Sequence, residues 1–80
     1  MPKMKMTDEH FQSLQQACVP ILLENQGLWK TGYKEQGLSR KRFRWDVLWA
    51  SKFNVNALYD YLDDSNIDTA LKAICDSYML

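Results

Sequence analysis

Eighty residues of zero formal net charge, 46% of them apolar and with three Trp, four Tyr and three Phe, make one small domain far from the disordered regime of few aromatics and high charge. Cys18 and Cys75 lack any Cys-x-x-Cys companion, and the single histidine, His10, cannot complete a zinc set with them, so they read as reduced core thiols. No apolar run follows Lys3 and Lys5 as a secretory signal requires, and none approaches the roughly 20 residues of a membrane span, so a cytoplasmic protein without a membrane partner is expected.

The zero sum conceals a segregation. Residues 1 to 29 carry Lys3 and Lys5 against Asp8, Glu9 and Glu24, a net −1. Residues 30 to 52 carry seven cations against Glu35 and Asp46, a net +5. Residues 53 to 80 carry Lys72 against Asp60, Asp63, Asp64, Asp68 and Asp76, a net −4. The middle is basic and the end acidic.

In chain order, residues 1 to 6 show no periodic pattern and are expected to fray, leaving residues 7 to 80 as a single helical domain. Thr7 caps a first helix with Asp8 and Glu9 in the opening turn, the favourable sign for that end of the dipole. Phe11, Leu14, Cys18, Ile21 and Leu22 then form one stripe. Pro20 either kinks this helix or stops it near Val19, and the unbroken phase of the stripe favours the kink. Gly27 suits a left-handed terminating position. Leu28 to Gly37 reads as a short helix or an ordered loop, since Leu28, Trp29 and Tyr33 want burial while Gly32 weakens helix and Gly37 ends whatever forms.

The stretch Leu38 to Phe53 is the most contrasted in the chain. Ser39 is the expected N-cap, Arg40, Lys41, Arg42 and Arg44 crowd the first turns, and a dense apolar half follows. Phe43, Val47 and Ala50 share one side, and Trp45, Leu48 and Trp49 another, which predicts a buried helix. Cations at this end oppose the macrodipole, a penalty of a few tenths of a kcal/mol per charge, roughly, that a partner anion would offset. Asn54 is read as the cap of a short helix with Val55, Leu58, Tyr59 and Leu62 on one face; Ser65 and Asp68 form a capping-box-like pair before a final helix striped by Ile67, Ala70, Leu71, Ile74 and Tyr78. No β-alternation or repeat occurs. The expected fold is all-α: a bundle of about four helices, without a sheet, whose core holds Phe11, Leu14, Cys18, Ile21, Leu22, Phe43, Val47, Leu48, Leu58, Leu62, Leu71 and Ile74.

For chemistry, His10 reads as an exposed first-turn histidine, the aspartates as a solvated turn and caps, and no phosphate-cradling or dinucleotide glycine loop is present. No enzyme, cofactor or metal is expected. The basic cluster is the candidate site: Arg40, Lys41, Arg42 and Arg44 fan around the helix start, with Trp29 or Tyr33 near for stacking. It serves a protein partner in the leading reading and nucleic acid in the alternative, while internal pairing with Asp60, Asp63 and Asp64 competes with both. A helix-turn-helix fits poorly, because Tyr33 stands where a small residue is wanted and Asp46 where an apolar one is. The many aromatics, together with the facing charge blocks, also predict a weak homodimer setting Arg40 to Arg44 of one copy against Asp60 to Asp64 of the other, unless those blocks fold onto each other within a monomer.

The residues Gly37-Leu38-Ser39, Arg42-Phe43-Arg44-Trp45-Asp46, Leu58-Tyr59-Asp60-Tyr61-Leu62 and Ile67-Asp68-Thr69-Ala70-Leu71 resemble small uncharacterised proteins encoded by phages and plasmids. The resemblance covers roughly the C-terminal half. It implies a small, non-enzymatic accessory protein of a mobile element that binds a host or element component.

Overall fold

The computed structural model describes residues 5–78 and is all-α, with no strand among those residues. Its elements are α1 (Asp8–Leu28), a π-helical turn (Trp29–Tyr33), α2 (Arg40–Ser51), the short α3 (Asn56–Tyr59) and α4 (Asp64–Tyr78). Each of the three long helices packs against the other two.

Helix α1 starts as the sequence dictates, with the Thr7 hydroxyl accepting the His10 amide at 3.2 Å and Asp8 and Glu9 in the first turn. It passes through Pro20 without ending. Gly27 is not its terminus, which corrects the expectation of a left-handed cap there. Asn25 and Thr31 donate side-chain hydrogen bonds to the carbonyls of Ile21 (2.7 Å) and Gly27 (2.8 Å), each four residues back along the helix. Continuing the helix brings Trp29 and Tyr33 onto Phe43, and that aromatic contact outweighs the roughly 1 kcal/mol that one helical glycine costs.

The terminating glycine is Gly37, at φ +71°. The Leu38 amide donates to the Tyr33 carbonyl (2.9 Å) and the Gly37 amide to the Lys34 carbonyl (3.1 Å), the paired bonds of a Schellman motif. Leu28 to Gly37 is therefore helical in its larger part, and closes as its glycine allows. Helix α2 opens on Ser39, whose hydroxyl accepts the Arg42 amide at 3.1 Å. It ends at Lys52, left-handed at φ 61° without being glycine, a conformation that costs an L-residue about 1 kcal/mol.

Two further expectations on caps are corrected. Asn54 contributes a backbone carbonyl, accepting from Ala57 at 3.2 Å, and α3 has no side-chain cap. Ser65 and Asp68 do not form a capping box, because α4 starts two residues earlier, at Asp64. The Asp63 carboxylate accepts the Asn66 amide (3.0 Å) while the Asn66 side chain accepts the Asp63 amide (3.4 Å), reciprocal capping that leaves Asp68 to face α2.

The core consists of Leu14, Cys18 and Leu22 from α1, Phe43, Val47 and Leu48 from α2, Val55, Leu58 and Leu62 from the connection, and Ile67, Ala70, Leu71, Ile74 and Cys75 from α4. Phe11 and Ile21, expected inside, are half-buried at its margins: Phe11 lines a groove with Met6 and Ala70, and Ile21 another with Tyr33 and Val47. Each of the two apolar sides expected of α2 is split: Leu48 is fully buried while Trp45 is half-buried and Trp49 55% exposed, and Ala50 is exposed where Phe43 and Val47 are buried. Met6 packs against the core, and residues 1–4 of the expected frayed segment lie outside the described residues.

Candidate functional site

The fan of cations at the start of α2 separates into individual fates. Arg44 is withdrawn, its side chain 12% exposed. Its guanidinium donates from Nε (3.3 Å) and NH2 (3.1 Å) to one oxygen of Asp68, and from NH2 to the other at 3.0 Å. The Trp45 indole N–H donates to the same carboxylate at 3.0 Å. One acid on α4 thus fixes two consecutive residues of α2, and Arg44 is a structural cation rather than a binding one. Arg42 pairs with Asp46 four residues on, at 3.6 Å with 63% of its side chain exposed, a weak surface contact. Internal pairing does occur, then, for two of these arginines: Arg42 with Asp46 and Arg44 with Asp68.

Arg40 takes a third course. Its guanidinium carbon lies 5.6 Å from the centre of the Trp29 ring, in cation–π geometry. Trp29 in turn packs at 5.7 Å on Phe43, which meets Tyr33 edge-on at 5.3 Å. The Tyr33 hydroxyl donates to the Asp46 carboxylate, and that hydrogen bond is the main cause pushing its phenol above the usual range, so Tyr33 stays a protonated donor. The π-turn positions Trp29 and Tyr33, α2 positions Phe43 and Arg40, and the Gly37 cap fixes the angle between them.

Trp29 and Arg40 line one open concavity together with Lys30 and Lys34. These lysines and Arg40 have no ion-pair partner among the described residues. Reading the sequence missed both lysines. Their signal was the four-residue spacing on either side of Tyr33, legible only once Leu28 to Gly37 is known to be helical. Lys41, the last member of the fan, lines a different open concavity, together with Trp45, Trp49, Tyr59 and Asp64. Of the six residues singled out, Trp29, Tyr33 and Arg40 come together, Arg42 borders them through Asp46, and Arg44 and Lys41 do not join.

His10 is half-buried rather than exposed, stacked on Tyr61 with Nδ1 2.6 Å from its hydroxyl. Cys18 and Cys75 are unbridged and buried, and burial pushes both thiols up, Cys75 to about 11. Among the described residues no cluster of His, Cys, Asp and Glu has the makings of a metal site, and no helix is long and apolar enough to cross a membrane. Comparison with protein-family models, with curated proteins and with solved structures finds no match to this chain.

Proposed function

We propose that this chain is a non-enzymatic interaction protein that docks an acidic segment of a protein partner on the Trp29 face. The observation that carries the reading is the grouping of Lys30, Lys34 and Arg40, from two elements, around one indole. Unpaired cations beside a rigid aromatic are suited to a carboxylate-bearing peptide: the guanidinium grips the acid bidentately while the ring covers an apolar neighbour.

Nucleic acid is the second reading, favoured by the same indole as a stacking platform. Two facts weigh against it. Only three unpaired cations gather here, and the chain's zero net charge with its acidic C-terminal block gives a polyanion no general attraction. The C-terminal resemblance further leads us to propose a mobile-element accessory protein whose partner is a host or element component.

The test is Trp fluorescence titration with a glutamate-rich peptide and, in parallel, with single-stranded DNA across a salt series. The peptide should bind, and Arg40→Glu combined with Lys34→Glu should abolish binding while leaving the melting temperature near that of the parent. DNA binding that falls steeply with salt, without peptide binding, would replace this reading with the nucleic-acid one.

A further inference from the structure

Lys41, Trp45 and Trp49 recur every four residues and form the outer ridge of α2. With Tyr59 and Asp64 they line an open concavity on a face separate from Trp29. Trp49 is 55% and Tyr59 40% exposed, among the largest apolar surfaces the chain leaves in water. These aromatics are also fixed in place: Trp45 and Trp49 pack with ring centres 6.1 Å apart, the Trp45 N–H is held by Asp68, and the Tyr59 hydroxyl donates to Asp64 at 2.5 Å. A surface whose side chains are already ordered loses little entropy when it is covered.

We propose that this face is the interface of a weak two-fold symmetric dimer, with Lys41 of each copy on Asp64 of the other and the Trp49 indoles between them. The charge pattern selects a second copy over an unrelated partner. The face holds one cation and one acid beside its aromatics, so it is neutral and complementary to itself under a two-fold axis, which makes the Lys41–Asp64 contact twice. Lys41 has no ion-pair partner among the described residues, and a carboxylate that accepts from Tyr59 keeps capacity for an ammonium group. Two copies of zero net charge meet without long-range repulsion. A face with one charge of each sign gives a strongly acidic or strongly basic partner no net attraction. This is what remains of the pairing of charge blocks expected from the sequence, once Arg42 and Arg44 are committed within their own chain. A few aromatics cover less area than an obligate dimer requires, so association is weak and concentration-dependent.

Sedimentation equilibrium of the full chain from micromolar to near-millimolar concentration at low salt should show a reversible monomer–dimer equilibrium. Trp49→Ala should weaken it by about tenfold or more, as loss of a central aromatic does. Lys41→Glu and Asp64→Lys should each weaken self-association alone and regain it when mixed, because only the mixed pair restores the opposite charges. Circular dichroism checks that each variant folds, and Lys41→Glu, at an exposed position, keeps the test decisive should Asp64→Lys disturb the start of α4. A monomer throughout the range, or a dimer indifferent to both Trp49→Ala and Lys41→Glu, overturns the proposal.

Discussion

Asp68 joins two helices through a single carboxylate. It accepts three hydrogen bonds from Arg44 and one from Trp45, at 3.0 to 3.3 Å, with 23% of its side chain in water. The pair lies between an exposed ion pair, whose net contribution is small, and a fully buried one, whose desolvation cost is large. What matters for a substitution is the group left behind. Asp68→Ala strands a guanidinium that is only 12% exposed and an indole N–H, so the expected loss is about 1–3 kcal/mol, read from urea unfolding. Asp68→Asn keeps an acceptor for both donors and should lose less. Equal effects of the two substitutions would show that the charge, and not the hydrogen-bonding oxygen, is what α2 requires.

At the scale of elements, the inner face of α2 carries the packing. Leu48 is fully buried and Leu71 nearly so, one on each of two helices that pack together. Leu48→Ala or Leu71→Ala should cost on the order of 2–5 kcal/mol, enough to leave so small a domain marginal, and denaturant midpoints check it. Part of this face was legible from spacing alone, since Phe43 and Val47 stand four residues apart, while Leu48 adjoins Val47 and was grouped with Trp45 and Trp49. The outer face was not. Trp45 and Trp49 have the hydrophobicity of core residues, and nothing local says that a helix flanked by only two long neighbours leaves one side uncovered. The same limit explains Gly27 and Gly37: both fit a left-handed cap by residue type, and only the contact of Trp29 and Tyr33 with Phe43, up to fourteen positions along the chain, decides which one ends the helix. Asp68 was misassigned because a carboxylate three residues after a serine matches a capping pattern, whereas its partner, Arg44, is twenty-four residues away. The candidate site suffered most. Of the four cations sought at the start of α2 only Arg40 meets Trp29, and Lys30 and Lys34 belong to a segment whose helical state depends on that distant contact.

The whole molecule should be sensitive to pH on its alkaline side. Cys18, Cys75, Tyr33 and Tyr59 are all shifted upward, the two thiols by burial and the two phenols chiefly by hydrogen bonds to Asp46 and Asp64. Cys75 makes the sign plain. In the unfolded chain its thiol titrates near the ordinary value of 9.0, and in the folded chain at about 11. Below 9.0 both states hold the proton and the group contributes no slope. Between the two values the unfolded chain has released a proton that the folded chain retains, so each rise in pH favours unfolding, and the contribution is lost as pH passes through about 11. Cys18 and the two tyrosines add in the same direction. Urea midpoints measured from neutral pH to the upper end of that window should therefore fall with pH, and Cys75→Ala, although less stable throughout for its lost packing, should fall more shallowly. An equally steep decline in Cys75→Ala would mean that the thiol takes no part and that the tyrosines, or the discharge of the lysines, account for the loss.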